Sequence, residues 1–302
     1  MNILVAGFVT IDSIQLPMRQ ITSVGGPPSY AGLICSRFGH SVLPLTKVGS
    51  DFPDEQTVWL ARNGIVLRAS DRSLSRPTTR FRISNVSGNR SLTLASRCED
   101  LSASQIPPDT RFGATLISPL AGEISPSLLT EISARSDFTF LDPQGFVRSF
   151  DKDGKVSPTP LQDKSILTKV DAIKMDRTEA EMLTGKSAPR EALEKLASIG
   201  LRKAIVTQGG EACYVLDGVR VYQVEVPRVP VVIDSTGAGD VLSGATISWY
   251  LKTRDFLRSA CFGIAASSLS LHMLALAKVD LPKSVDESAM RLYSMASPIA
   301  AL

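Results

Sequence analysis

The 302-residue chain is 43% hydrophobic and carries a formal net charge of +3, from 33 Lys+Arg against 30 Asp+Glu. That is enough apolar content for one large buried core and too small a positive excess, with no basic block, for a phosphate-backbone binder. Two histidines (His40 and His272) and four scattered cysteines (Cys35, Cys98, Cys213 and Cys261) form no CxxC, HExxH or disulfide framework; this weighs against zinc chemistry and points to a reducing cytoplasm.

The N-terminal stretch MNILVAGFVTID lacks the basic flank, long apolar run and small-residue cleavage site of a secretory leader. Short apolar runs then recur at Ile3 to Gly7, Val42 to Val48, Ala114 to Ser118, Phe138 to Leu141, Ala172 to Met175 and Ala204 to Thr207. Between them Ala31, Ile34 and Phe38 share one helical stripe, as do Leu128 and Ile132. This βαβα alternation predicts an α/β protein with a mainly parallel sheet covered by helices on both faces. From Thr78 to Ala95 the texture changes to period-two alternation around Gly88-Asn89, a hairpin signal. A two-stranded ribbon is unstable alone, so it is expected to join the extended segment Ser13 to Val24 in a small β lid. The expectation is one domain over residues 1–302, with a lid from about 13–24 and 78–96. Ser259 to Ala277 carries no formal charge, but four serines and a histidine interrupt it, so it reads as a buried helix rather than a membrane span.

The chemistry concentrates after a predicted apolar strand at Pro230 to Ile233. There the chain reads Asp234-Ser-Thr-Gly-Ala-Gly-Asp240, followed by residues at helical spacing. Small residues at a helix N-terminus leave backbone N–H groups open to an anion. It is an anion cradle without a lysine, matching neither the GxxxxGK[ST] nor the GxGxxG pattern. Asp240 in the first helical turn can be a simple dipole partner. It can also be a general base, because a carboxylate beside a phosphate site disfavours binding but can take a proton from an attacking hydroxyl.

The string DSTGAGDVLSGA, with Gly25-Gly26 and the helix ending Ser36-Arg-Phe-Gly39, resembles the ribokinase-like (PfkB) carbohydrate kinases. The similarity extends to Lys47-Val-Gly-Ser-Asp51, Asp176-Arg-Thr-Glu179 and Thr207-Gln-Gly-Gly210. The resemblance implies a ribokinase-like three-layer α/β/α fold with a β lid. It makes Asp240 the catalytic base and Gly237, Ala238 and Gly239 the anion hole. It assigns Asp12, Gly25 and Gly26 to the substrate, and Asp176, Thr207, Gly209, Thr236, Gly237 and Gly239 to the nucleotide. Glu179 would organise Mg2+, although Asp176 stands where the family's N-x-x-E motif has asparagine.

Tyr30, with Asp142-Pro-Gln-Gly-Phe-Val-Arg148, looks more like the myo-inositol kinase branch, which adds Tyr30, Gln144 and Arg148 to the substrate side. The implied reaction is ATP-dependent phosphorylation of a small polyol or sugar, with myo-inositol first and ribose, fructose or a nucleoside as alternatives. A non-catalytic sugar or nucleotide sensor is the alternative from another class. The expected partners are the polyol and ATP, with no nucleic acid or membrane, in a monomer or homodimer. Independently of any family, Asp12, Asp142 to Arg148, Asp176 and Glu179, Thr207 to Gly210, and Asp234 to Asp240 each follow a predicted strand. All five segments would therefore meet at the carboxyl edge of one sheet, where open α/β sheets bind ligands.

Overall fold

The computed structural model describes residues 1–16, 19–86, 89–281 and 284–301. A nine-stranded sheet runs through the molecule in the spatial order Ser297–Ala301, Arg220–Val224, Cys213–Asp217, Lys203–Thr207, Ala172–Asp176, Thr139–Leu141, Ala114–Ile117, Asn2–Ala6 and Ser41–Leu45. The last six in this order are parallel, and the first three continue the sheet antiparallel. From the first strand the chain goes to one side, to Ser41–Leu45, and later returns to the other, to Ala114–Ile117. The order therefore reverses around the first strand, which opens a crevice at the carboxyl ends.

Side-chain alternation along the first strand separates two cores. Ile3 and Val5 pack with the helices Ala238–Thr253, Phe256–Ser270 and Val285–Met295 on one face. Leu4 and Ala6 pack with Pro126–Ala134, Arg177–Thr184 and Pro189–Ser198 on the other. A parallel sheet covered on both faces buries its strands completely, which is why they read as continuous apolar runs. The three-layer expectation is met. The uncharged stretch from Ser259 lies largely in the buried helix Phe256–Ser270, and no helix among the described residues is long and apolar enough to cross a membrane.

The smaller sheet has four strands, in the order Gln20–Gly25, Thr10–Gln15, Arg80–Val86 and Asn89–Ser96. Its two hairpins join through a parallel pairing that sets Asp12 beside Phe81. Ser13 to Val24 is therefore not one extended segment but parts of two antiparallel strands. The turn residue Gly88 lies outside the described residues, as do Pro17 and Met18.

Three other expectations change. The run Val42 to Val48 ends as a main-sheet strand at Leu45, and Val48–Gly49 pairs separately with Arg72–Ser73. The stripe of Ala31, Ile34 and Phe38 starts as a wide π-helical turn, Pro28–Gly32, before one short α-helix, Leu33–Arg37. Pro230 to Ile233 is a loop, not a strand: Val231, Val232 and Ile233 are 63%, 50% and 48% exposed. The sheet edge beyond Arg220–Val224 is already taken by the C-terminal strand Ser297–Ala301. The loop is tied down instead by the Ile233 N–H, which donates to the Leu271 carbonyl at 2.9 Å.

Candidate active site

The glycine turn is built by its own sequence. Asp234 Oδ1 accepts from the Thr236 N–H at 2.8 Å, closing an Asx-type turn. Gly237 then enters the left-handed region with φ +75° and starts the helix Ala238–Thr253. A Cβ on Gly237 would lie 2.6 Å from the Tyr30 ring, so both backbone angle and space demand glycine. Farther along, a Cβ on Gly244 would meet the Ala31 backbone at 2.7–2.8 Å, which lets this helix seat directly on the Pro28–Gly32 turn. Replacing Gly237 by Ala is expected to lower unfolding stability by about 2 kcal/mol through left-handed strain and crowding of Tyr30. Urea denaturation checks this, and an unchanged midpoint would show that the turn relaxes freely.

The turn opens onto a cleft of about 560 Å3 at the carboxyl edge of the parallel strands, lined by Gly237, Ala238, Gly239 and Asp240 together with Asp142, Gln144, Arg148, Lys174, Asp176, Glu179, Thr207 and Gly209. Four of the five strand-end segments expected to converge thus do so. The glycine turn arrives there from the 230–233 loop rather than from a sheet strand. Asp12, Gly25, Gly26, Tyr30 and Thr236 do not line the cleft. Asp12 is buried on the smaller sheet against Gly25, where a Cβ would come within 2.1 Å of its Oδ2. Gly26 has φ +86°, and a Cβ there would lie 2.0 Å from the Phe8 carbonyl oxygen. Tyr30 is 1% exposed, and its ring backs Gly237 from inside the protein. Burial, then the charges of Asp12, Asp234 and Asp240, raise its phenol well above the ordinary value, so it stays protonated.

The amides of the turn are unequal. The Ala238 N–H donates to the Ser235 carbonyl at 3.3 Å, so the three-residue anion hole is partly closed by the protein itself. Among the described residues no hydrogen bond holds the Gly237 or Gly239 N–H. The cradle also has the lysine that its sequence lacks. Lys174, from the buried strand Ala172–Asp176, places its Nζ 2.8 Å from where a Gly239 Cβ would be. Burial alone would discharge this ammonium. Asp142, whose Oδ2 lies 2.9 Å away, outweighs that cost together with Glu179 and Asp240 and holds the lysine above its usual pKa.

Asp240 is buried, and its Oδ1 has no hydrogen-bond partner among the described residues. Burial is the main reason its pKa rises to about 7; Asp142 and Asp12 push it further up, while Lys174 and Arg148 oppose them. The two cations and Asp12 are therefore within electrostatic reach of this carboxyl. Such a group can take up a proton near neutrality and has an oxygen free to do so.

Asp176 and Glu179 have a structural duty first. Asp176 accepts from the Glu179 N–H and Glu179 accepts from the Asp176 N–H, both at 2.8 Å, a reciprocal cap on the helix Arg177–Thr184. The D-x-x-E spacing is accounted for by that cap, although both residues line the cleft. Burial is also the first cause of the raised Glu179 pKa, opposed by Lys174 and supported by Asp142 and Asp176. Among the described residues no group of three or more His, Cys, Asp or Glu could encage a metal. Gln144 and Arg148 line the cleft and are tied to the neighbouring segment, Gln144 Nε2 donating to Ser118 Oγ at 3.3 Å and Arg148 Nη1 to the Leu120 carbonyl at 3.4 Å. Thr207 ends its strand, and Gly209, with φ +63°, turns the chain into the antiparallel strand Cys213–Asp217. Its glycine is explained by that turn as well as by the cleft.

Sequence reasoning missed Lys174 and Asp142 as a pair, and Lys278. The last is wholly buried, with Nζ 3.3 Å from Asp234 Oδ2. A lysine inside an otherwise apolar strand was the available signal for Lys174.

The chain is 30% identical over 239 residues to inositol 3-kinase of Zea mays, an alignment covering 74% of this chain and 58% of the maize protein. It thus spans less than two thirds of that relative. It is 24% identical over 267 residues to cytidine kinase of Thermococcus kodakarensis, covering 84% and 90% of the two chains. A solved pyrophosphate-dependent kinase of the ribokinase family, complexed with a pyrophosphate analogue and myo-inositol, superposes with a TM-score of 0.79 at 22% identity over 92% of this chain and 99% of the other. Arabidopsis thaliana ribokinase complexed with ribose and ATP gives 0.71 at 18% identity over 97% and 98%. The pfkB family carbohydrate kinase pattern matches residues 12–278, a span that opens at Asp12 of the smaller sheet and closes at the lysine buried behind the glycine turn. On that match the chain belongs to the pfkB family of carbohydrate kinases, and its fold is ribokinase-like.

Proposed function

We propose that this protein transfers the terminal phosphoryl group of ATP to a hydroxyl of a small cyclic polyol, with myo-inositol as the preferred acceptor. The observation that carries the reading is Asp240: a buried carboxyl with an unpartnered oxygen, a pKa near 7, and a place in the first turn of a helix whose glycine N-terminus opens on the same cleft. In this reading Asp240 accepts the proton of the attacking hydroxyl. The Gly237 and Gly239 amides and the Lys174 ammonium meet the negative charge that spreads over the transferring phosphoryl oxygens. Asp12, Gly25 and Gly26 contribute the lid side of the acceptor site, with Gln144 and Arg148 opposite. Tyr30 supports the turn from behind.

Inositol 3-kinases of Zea mays, Oryza sativa and Arabidopsis thaliana among the similar proteins support the choice of acceptor. The donor choice rests on the apolar part of the cleft lining, Val226, Val229, Val232, Ile264 and Leu271, which stands among the polar Arg228, Ser267 and Ser268. A base and ribose have use for such a lining; bare pyrophosphate has none. Thr207 and Gly209 lie on the nucleotide side in this assignment, and Thr236, which does not line the cleft, contributes through the turn it closes with Asp234. Mg2+ suits the site as an ion that arrives with the donor. Asp142, Asp176 and Glu179 offer carboxylates around the cleft without a closed cage, as suits a cation that keeps water and phosphate oxygens as ligands. When bound, it would neutralise phosphate charge, with Glu179 the residue nearest that duty.

The test is a panel of acceptors with Mg-ATP and, separately, Mg-pyrophosphate. Myo-inositol with ATP is expected to give a kcat/KM at least about tenfold above ribose, fructose and cytidine, on the scale of one or two recognised hydroxyls. Fast ribose or nucleoside turnover beside negligible inositol turnover rejects the acceptor. Turnover with pyrophosphate alone rejects the donor.

A further inference from the structure

Lys278 lies in the single turn Ala275–Val279 and is 0% exposed. Its Nζ stands 3.3 Å from Asp234 Oδ2 and donates to the Asp234 main-chain carbonyl. One ammonium therefore grips one residue by both its backbone and its side chain. Asp234 uses its other carboxylate oxygen to hold the Thr236 N–H, and its Oδ2 also accepts from the Ala275 N–H at 3.3 Å. Two residues after Asp234 comes Thr236, and the next is Gly237, whose left-handed backbone sets the direction of the open amides. A buried ion pair adds little net stability compared with apolar residues of the same shape. This one holds the turn that faces the cleft from behind, since neither Lys278 nor Asp234 is among the residues that line it.

We infer that Lys278 is a positioning residue: a built-in monovalent cation that holds the Asp234–Gly237 turn in its working shape, so that phosphoryl transfer by this protein needs no dissolved monovalent cation. The inference rests on the phosphotransferase reading and adds to it. Its chemistry is general. An ammonium group and a potassium ion are of similar size, and both take carbonyl and carboxylate oxygens as partners. Shortening Lys278 to alanine leaves those Asp234 oxygens facing a cavity of the lost side chain's size, which a free potassium or ammonium ion can enter. Methionine fills the cavity with an uncharged stem and leaves no room. Tetramethylammonium supplies the same ionic strength but is too large to enter.

The experiment compares the wild-type protein, Lys278→Ala and Lys278→Met in tetramethylammonium, potassium and ammonium chloride at equal ionic strength, reading thermal midpoint, kcat and acceptor KM. Wild type is expected to respond alike to all three salts. In tetramethylammonium, Lys278→Ala is expected to lose about 100-fold in kcat, the scale of one misplaced preorganised donor, with KM changed less than about threefold. Potassium or ammonium should restore at least about tenfold of that loss and raise the thermal midpoint, because only the folded protein holds the ion. Lys278→Met should lose the same activity and regain none.

Wild-type activation by potassium of more than about threefold overturns the inference. So does full activity of Lys278→Ala in tetramethylammonium, or a loss that no cation repairs. If Lys278→Ala does not fold, the wild-type salt series still decides. If no acceptor is phosphorylated by wild type, the phosphotransferase reading fails, while the midpoint of Lys278→Ala in the three salts still reports whether a cation replaces the ammonium.

Discussion

Changing Asp240 to Asn is expected to reduce kcat about 1,000-fold while leaving the binding of acceptor and nucleotide within a few-fold of wild type. Asparagine keeps the shape of the side chain and removes only its capacity to take a proton, a loss on the scale of general base catalysis. Calorimetric titration and turnover on the same preparation check both halves. A variant that turns over at the wild-type rate removes Asp240 from the reaction.

The same substitution carries a stability signature. The folded pKa of Asp240 is about 7, above its ordinary 3.8, so the folded state binds the proton more tightly than the unfolded chain. Stability linked to this group is present at acid pH and is lost as pH rises from about 4 through 7. Above pH 7 the wild type holds a buried charge that Asp240→Asn does not, and the variant should unfold on the order of 4 kcal/mol harder there. At pH 4 the difference should vanish. The pH profile follows the same sign: kcat/KM of the wild type should be level above about pH 7 and fall tenfold per unit below it, as the base becomes protonated.

The second large effect is expected at Lys174. Lys174→Met leaves the Asp142 carboxylate buried without its 2.9 Å partner. Breaking a buried pair from one side costs about 3–5 kcal/mol of stability. It also removes the cation beside Gly239, and activity should drop by about 100- to 1,000-fold. The double variant Lys174→Met/Asp142→Asn separates the two roles. It should regain most of the lost stability, because no unpaired charge remains, but none of the activity. Recovery of turnover in the double variant would reduce Lys174 to a partner of Asp142 alone.

The fold was legible wherever burial imposed a periodicity. Ile3 to Ala6 reads as an unbroken apolar run because both faces of the parallel sheet are covered, and Phe81 to Ile83 alternates because its sheet is wet on one side. Which strands pair across long distances was not legible. Thr10–Gln15 joins Arg80–Val86 in parallel, and nothing local specifies that partner. Pro230 to Ile233 misled for a related reason: an apolar run marks a strand only if a sheet edge is free, and Ser297–Ala301 occupies that edge.

In the candidate site, the glycine turn was legible because its residue types have few other uses at a helix start. Lys174 and Lys278 were hidden, since each acts through a partner 32 or 44 residues away. Asp176 and Glu179 illustrate the reverse difficulty. Their spacing suits a cation and a helix cap equally well, and the structure uses both side chains in the cap.

The most direct test of the central claim is the structure of the protein with myo-inositol and a non-hydrolysable ATP analogue bound together. It should place one Asp240 carboxylate oxygen within about 3 Å of an acceptor hydroxyl, with the terminal phosphate on the Gly237 and Gly239 amides and beside Lys174. A terminal phosphate held elsewhere, or an acceptor whose hydroxyls all lie out of reach of Asp240, would contradict the account.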